Sequence, residues 1–335
     1  MAGTTILSIN EEIKTLEQVE EKILSINCSS TIKHVSEQVL EALSEQEKQL
    51  LSLWRRSDDF PGEIQNFTLP NEIQIRYLVR ETFIETSRRK VNMFDEEGKL
   101  LPKSQRTITD SIQTVFFEIG DRIYVILNST NLISINKSKK LFGDKLKETA
   151  AGEIEITEYM IDPDLFYWLF FKHEKDNGIL EPRFEVSDIA GFVGNIADEN
   201  HTIKGNSVDT PSLLVTKAFV SKFHPFRSLH VVLKYQNYTL DFILNDRSEC
   251  YINPGCSIPN IRIDKQIAAS IIIYGFIIPR LYEIFSEDEV WKRDTTKQDF
   301  TKNMGLEVIK EIADFHGISA EEIKALIKSE DAKEA

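Results

Sequence analysis

Cationic and aromatic side chains alternate along residues 217–238, which read "KAFVSKFHPFRSLHVVLKYQNY" and contain no aspartate or glutamate. Cations bind phosphates and aromatic faces stack on bases, so this composition is typical of a surface that binds single-stranded nucleic acid. We predict that five residues here contact nucleic acid: Lys217, Lys222, Arg227, Lys234 and Tyr235. The alternative is that the apolar alternation of a strand buries most of these rings in the core.

A second basic cluster, "NKSKKLFGDKLKE", spans residues 136–148. From it we predict three further nucleic-acid contacts, Lys137, Lys139 and Lys140, and the upstream "SRRK" at residues 87–90 could extend this surface. A lysine-rich helix is also the ordinary composition of a solvated face, so this second prediction is the less specific of the two.

Carboxylates near predicted strands offer a different chemistry. A divalent ion would need three of them to meet, and the candidates are Asp164, Glu185, Asp188, Asp241 and Asp246. With 54 aspartates and glutamates in the chain, such positions also arise without a site. We therefore predict no metal ligand, and a metal-dependent nuclease or phosphodiesterase stays an alternative.

Other catalytic signatures are missing from the sequence. There is no Gly-x-Ser-x-Gly elbow and no Gly-rich phosphate loop of the Walker type. Cys250 and Cys256 have no second pair of ligands that would complete a zinc site. We accordingly predict no catalytic residue and no cofactor.

The C-terminal stretch "LEVIKEIADFHGISAEEIKALIKSE", residues 306–330, has the spacing of a helix-turn-helix, with Gly317 at the turn. The second helix would begin with Ser319, Glu321 and Glu322, and carboxylates at that position repel phosphates. Ser319 and Glu322 are instead spaced as a capping box. We predict a helical hairpin, with Leu326 on the inner face of its second helix, that docks on a partner protein and does not read DNA.

Composition limits the class of protein. The chain has 335 residues, of which 41% are hydrophobic, enough to form folded cores. Its net charge of −14 repels nucleic acid at long range, so any contact needs a local basic face. Three cysteines do not form a disulfide framework, and the first residues do not resemble a signal peptide, so we expect a cytoplasmic protein. The longest apolar run, residues 267–278, is shorter than a bilayer span, and we expect no membrane partner.

Helical periodicity dominates the first part of the chain. Apolar residues recur every three or four positions over residues 11–26 and again over residues 30–54, which predicts two amphipathic helices. Turn-forming residues follow, and a third helix is predicted over residues 71–89. We expect an all-helical N-terminal region that ends near residue 60.

Two later stretches share the order hairpin, third strand and helix. The first has its hairpin at residues 111–129 and its third strand at "NLISIN"; the second has its hairpin at 228–246, its third strand at 249–255 and a long helix at 263–285. Between them, Asp162 and Pro163 begin an aromatic helix. The repeated β-β-β-α order suggests an internal duplication, with recurrence of a common motif as the alternative.

Together these elements predict an α+β protein in four segments: a helical N-terminal region (1–60), a first α+β unit (61–178), a second α+β unit (179–286) and a helical C-terminal appendage (287–335). We expect a non-catalytic binding protein that contacts DNA or RNA through its basic face and a partner protein, or a second copy, through its terminal helices. The richness in Ile, Lys and Asn is compatible with a bacterial or mobile-element gene and suggests an accessory component of an antiviral system. A purely structural assembly subunit is a further alternative.

Overall fold

The computed structural model describes residues 2–147, 161–196, 202–207, 210–247 and 249–325, in which helices and antiparallel strands are both abundant. The predicted α+β class is therefore confirmed. Clustering of contacts divides the chain into two compact units. Unit 1 comprises Met1–Met160, Arg247–Pro254 and Asn260–Ile278, and unit 2 comprises Ile161–Asp246, Gly255–Pro259 and Pro279–Ala335. The four contiguous segments expected from the sequence stay a prediction.

The strands in chain order are β1 Ala2–Ser8, β2 Cys28–Thr31, β3 Gln49–Arg55, β4 Gln65–Thr68, β5 Gln74–Ser87, β6 Thr107–Ile119, β7 Arg122–Leu127, β8 Ile179–Glu181, β9 Phe184–Asn195, β10 Thr202–Asn206, β11 Phe226–Tyr235, β12 Tyr238–Asn245 and β13 Cys250–Ile252. The α-helices are α1 Leu16–Lys22, α2 Glu37–Ala42, α3 Glu45–Lys48, α4 Lys103–Arg106, α5 Leu132–Ser138, α6 Pro163–Lys175, α7 Leu214–Ser221, α8 Lys265–Ile272, α9 Ile278–Glu287 and α10 Asp294–His316.

Unit 1 contains an antiparallel sheet with the strand order β13-β1-β7-β6-β5-β3-β2, and β4 also pairs with β5. Its longest pairing joins β5 to β6, from Arg76 opposite Glu118 to Ser87 opposite Thr107. The other edge of β5 is shared, because β4 pairs with its beginning and β3 with its second half. One face of this sheet is covered by α1 and α5, which bury a core that includes Leu16, Leu78, Phe116, Ile135 and Phe142.

Unit 2 contains an antiparallel sheet with the order β10-β9-β11-β12, and β8 pairs with β9. The β11–β12 hairpin turns at Gln236 and Asn237, as the sequence predicts, and Gln236 has a positive φ of 53°. Helix α6 begins where expected, with Asp162 accepting a hydrogen bond from the Asp164 backbone N–H. Its aromatic residues form a buried core, since Leu165, Phe166, Trp168, Leu169 and Phe170 are all shielded from solvent.

The all-helical N-terminal region is wrong. Helix α1 is correctly placed, but the helix expected over residues 30–54 is replaced by the end of β2, two short helices and β3. Ser44 caps a single turn, after which the backbone at Gln49 returns to extended geometry. In β3, Leu50 and Ser52 are buried and alternate with more exposed residues, so a strand period underlies what reads as helical spacing.

Two further elements also differ from expectation. Residues 74–87 form β5 and not a helix, because β5 has neighbours on both edges and buries most of its residues from Ile75 to Ile84, which hides the two-residue period of a strand. The segment "NLISIN" forms α5, because the Asn131 side chain accepts hydrogen bonds from the backbone N–H groups of Ile133 and Ser134. The β-β-β-α order is therefore wrong for the first of the two stretches, and internal duplication loses one of its supports.

The apolar run at residues 267–278 lies in a helical stretch, Lys265–Glu287, in which a π-helical segment, Ile273–Ile277, separates α8 from α9. Within the described chain this is the one helix long and apolar enough to cross a membrane by length and composition. Its most apolar window is 67% buried inside the protein, and buried core helices satisfy the same test. The expectation of no membrane partner stays a prediction.

Candidate functional site

The predicted nucleic-acid residues of unit 2 lie on α7 and β11, and three of their four cations are in ion pairs. These pairs are Lys217 Nζ to Glu307 Oε2 at 2.9 Å, Arg227 Nη1 to Asp246 Oδ2 at 2.7 Å, and Lys234 Nζ to Glu185 Oε1 at 3.4 Å. The hydrogen bond from Glu307 raises the pKa of Lys217, so this lysine stays charged and paired. A cation already neutralised by a carboxylate contributes less to phosphate binding than a free one.

Most of the interleaved aromatic rings are not free to stack on bases. Phe219 and Phe226 are buried, and Tyr235 packs edge-on against Phe184 with ring centroids 5.5 Å apart. Phe223 differs, because its side chain is 50% exposed. Its neighbour Lys222 is exposed and has no ion pair among the residues that the structure describes.

The second basic cluster belongs to unit 1. Lys137 on α5 forms an ion pair with Asp110 on β6 at 2.6 Å, whereas Lys139 and Lys140, in the 3-10 turn after α5, pair with no carboxylate of the described chain. The thiol of Cys28 on β2 lies 3.7 Å from the carbonyl oxygen of Lys140. This segment therefore crosses the face of the sheet from β6 to β2.

The sheet register relates this segment to the "SRRK" stretch. Cys28 lies opposite Ser52, Ser52 opposite Ile84 and Ile84 opposite Asp110, so Lys137 and Lys140 are anchored at two ends of one row of residues. Arg88 follows Ile84 by four positions along the chain, a distance of ~14 Å in an extended strand.

Arg88, Arg89 and Lys90 are three consecutive exposed cations at the end of β5. The backbone N–H of Arg88 donates to the carbonyl oxygen of Arg106 at 2.9 Å, which fixes the start of the run. None of the three forms an ion pair with a carboxylate in the described ranges. We call Arg88, Arg89, Lys90, Lys139 and Lys140 the basic track of unit 1.

The carboxylates proposed for a metal are held by other partners. Asp164 contacts Lys297 at 2.6 Å and Asp241 contacts His230 at 2.7 Å, while Glu185 and Asp246 are in the ion pairs given above. Asp188 lies on β9, opposite Val232 of β11. Over the part of the chain that the structure describes, no three His, Cys, Asp or Glu residues come together as metal ligands do.

Unit 2 contains a cleft of about 770 Å³, which we call the α6–α10 cleft. One side is the beginning of α6 with Asp162, Pro163, Asp164 and Tyr167, and another is the loop with Phe223 and Pro225. The third side is one face of α10, since Asp294, Lys297, Gln298 and Thr301 follow a helical spacing. Small-molecule sites commonly have volumes of ~300–1,000 Å³.

An aromatic pair forms the apolar wall of the cleft. The rings of Tyr167 and Phe223 are stacked with centroids 4.5 Å apart. The Tyr167 hydroxyl donates to the carbonyl oxygen of His224 at 2.8 Å, and burial raises the pKa of this phenol, so Tyr167 acts as a fixed neutral ring. Phe223 has a positive φ of 55°, an uncommon backbone for a bulky residue, which places its half-exposed ring at the cleft.

Asp164 forms the polar centre of the cleft. Its Oδ2 accepts from Lys297 Nζ at 2.6 Å and from the Trp291 indole N–H at 3.2 Å. Its Oδ1 is buried and has no hydrogen-bond partner among the described residues. One carboxylate oxygen therefore carries both donors while the other has none.

The C-terminal hairpin begins as predicted. Helix α10 ends at His316, Gly317 has a φ of 67°, and Ser319 and Glu322 form the capping box, with the Ser319 N–H donating to Glu322 Oε2 at 2.8 Å. A second helix occupies residues 320–325, and Leu326 lies outside the described residues. Apolar side chains along the hairpin are exposed: Leu306, Ile309, Ile312, Phe315 and Ile318.

Sequence reasoning missed the cleft because it treated residues 286–303 as a charged connector. That stretch contains the first turns of α10, and the signal was the four-residue spacing of Phe300 and Met304, both of which are buried. No protein-family model matches the chain, and no curated protein is significantly similar to it. Function is therefore inferred from the residues and their geometry.

Proposed function

We propose that the protein is a non-catalytic nucleic-acid-binding protein and that unit 1 contacts phosphates through its basic track. The observation that carries this proposal is the set of exposed cations without an ion pair in the described chain, three of them consecutive in sequence. Phosphate contacts from lysine and arginine supply most of the affinity of binding that does not depend on sequence.

The geometry of the track suits a backbone that repeats its charges. The ~14 Å between the level of Ile84 and Arg88 is comparable to four steps of B-DNA at ~3.4 Å each. The apolar side chains of Leu132 and Ile133 on α5 are more than half exposed and add no carboxylate to this face. The track is thus long enough to contact several phosphates at once.

The whole-chain charge of −14 opposes this contact at long range. Binding is therefore expected to be weak and to decline steeply with salt, as for an accessory protein that associates with nucleic acid already held nearby. An accessory role in a bacterial or mobile-element antiviral system, in the cytoplasm, is part of this proposal and is supported by composition.

The test is fluorescence anisotropy of labelled single- and double-stranded DNA and RNA, at low and moderate salt, with and without magnesium. The variants Arg88→Glu/Arg89→Glu and Lys139→Glu/Lys140→Glu should abolish binding. The matched control is Lys302→Glu/Lys310→Glu, which reverses two exposed, unpaired lysines on α10 of unit 2 and should bind as the wild type does.

Each outcome separates the alternatives. Undiminished binding by folded basic-track variants would refute the proposal, and the Lys222→Glu variant would then test the predicted site in unit 2. Cleavage that requires magnesium would favour the nuclease alternative.

A second candidate function, a subunit of a protein assembly, is favoured by the C-terminal hairpin. Phe315 is 84% exposed and Ile309 is 49% exposed on the same helix. Contiguous exposed apolar residues are typical of protein interaction sites. Size-exclusion chromatography with light scattering should show an oligomer that Ile309→Glu/Phe315→Glu converts to a monomer, and a monomeric wild type would contradict self-assembly.

A further inference from the structure

The α6–α10 cleft of unit 2 is separate from the basic track and carries the opposite charge. Its described lining holds three carboxylates, Asp162, Asp164 and Asp294, and one cation, Lys297. Lys297 is already paired with Asp164 at 2.6 Å. Asp162 and Asp294 remain, and neither has a cationic partner in the described part of the chain.

Helix dipoles reduce this negative charge but do not cancel it. Asp162 caps α6 and Asp294 is the first residue of α10, so each lies at a helix N-terminus that carries about half a positive charge. Two carboxylates and two such ends leave roughly one net negative charge. A phosphate or carboxylate ligand is therefore disfavoured in the cleft.

The aromatic wall favours a cation further. An aromatic face attracts an ammonium or guanidinium group within about 6 Å of its centroid, and the attraction grows when water is excluded. Phe223 presents a half-exposed ring at the cleft, and Tyr167 behind it keeps the ring in place.

The polar centre lacks a donor. Asp164 Oδ1 is buried without a hydrogen bond, and an unsatisfied buried acceptor is unfavourable. The Asp164 side chain is still 24% exposed, so a small rotation of the carboxylate would present this oxygen to an N–H group in the cleft.

We propose that the α6–α10 cleft binds a small organic cation, a guanidinium or alkylammonium group on an apolar or aromatic body. The cation lies between the Phe223 ring and the carboxylates of Asp162 and Asp294, and its N–H groups reach Asp164. The apolar body packs against Pro163 and Pro225, which also line the cleft. Either a free small molecule or an arginine or lysine side chain of a peptide can supply this group.

The test uses four probes with the full chain: benzylguanidinium, benzyl alcohol, benzoate and an arginine tripeptide with blocked ends. Binding is followed by NMR at the indole N–H of Trp291, which donates to Asp164 and is assigned with Trp291→Phe. Benzylguanidinium should bind at least ~10-fold more tightly than benzyl alcohol, and benzoate should not bind. If the tripeptide binds more tightly than benzylguanidinium, the natural source is a protein side chain; the reverse order indicates a free cation.

Two variants keep the fold and remove one interaction each. Asp294→Asn changes an exposed carboxylate and should weaken benzylguanidinium ~3- to 10-fold, while leaving benzyl alcohol unchanged. Phe223→Leu keeps an apolar side chain but removes the ring, and should also weaken the cation. The control is Asp314→Asn, an exposed carboxylate of the same helix that does not line the cleft.

Equal affinities for benzylguanidinium and benzyl alcohol would overturn the proposal, because the cleft would then recognise only apolar surface. No shift of the Trp291 indole signal with any probe at millimolar concentration would also overturn it, as would equal effects of Asp294→Asn and Asp314→Asn.

Discussion

Neutralising part of the basic track should change the salt dependence of nucleic-acid binding by a countable amount. The perturbation is Arg88→Ala/Arg89→Ala, which removes two exposed guanidinium groups that have no ion pair in the described residues. Since no carboxylate loses a partner, the fold should keep its stability.

The magnitude follows from counterion release. If each of the five cations contacts one phosphate of a single strand, the slope of log K against log salt is about −0.7 × 5, or ~−3.5. A fourfold rise in salt would then weaken binding ~130-fold. With two contacts removed, the slope becomes ~−2.1 and the same rise weakens binding only ~18-fold.

The assay is anisotropy with a labelled oligonucleotide across a series of potassium chloride concentrations, with circular dichroism melting as the folding check. Lys302→Ala/Lys310→Ala serves as the control and should keep the wild-type slope. A double variant in the track that binds with the wild-type slope would show that Arg88 and Arg89 do not contact phosphates.

Three further predictions concern stability. Gly178→Ala should destabilise unit 2 by about 3 kcal/mol in urea unfolding, because φ is +76° and the added Cβ would lie 2.1 Å from a backbone carbonyl oxygen; Gly98→Ala, with φ +77° and empty space around it, should cost about 1 kcal/mol, and equal losses would contradict this reasoning. The pKa of Glu17 is lowered from 4.5 to about 2 by its hydrogen bond with Arg76, so this contribution to stability is present above pH 4.5 and is lost as the pH falls toward 2. Glu17→Gln should remove this acid-side dependence, by less than about 1 kcal/mol because the pair is solvent-exposed, and identical stability profiles for the two proteins would refute it. Ser319→Ala should cost about 1 kcal/mol locally and speed amide hydrogen exchange at residues 320–325, whereas unchanged exchange would show that the capping box does not stabilise this helix.

Local signals in the sequence predict elements well where the element is determined by neighbouring residues. The β6–β7 and β11–β12 hairpins, the capped start of α6 and the capping box at Ser319 all depend on contacts within a few positions. Strand β5 fails because its residues are buried by partners distant in sequence, and such a strand shows no alternation.

The candidate sites show the same division. The composition of residues 217–238 is visible in sequence, but the carboxylates that neutralise it come from elsewhere: Glu185 lies on β9 and Glu307 on α10. The α6–α10 cleft brings residue 164 together with residue 297, a separation of more than a hundred positions. No local pattern encodes that distance.

The division of the chain into units has a consequence for how the protein is made. Strand β1 begins at Ala2, and its partner across the sheet, Ile252, lies on β13. Unit 1 includes residues up to Ile278, so a ribosome must synthesise most of the 335 residues before the last segment of this unit exists. Contacts this distant in sequence are slow to form, so the first strand leaves the ribosome long before its partner and has an unpaired edge during synthesis. Truncating the chain at residue 160 would make that temporary exposure permanent, and fragments designed to isolate unit 1 should therefore retain β13 and α8.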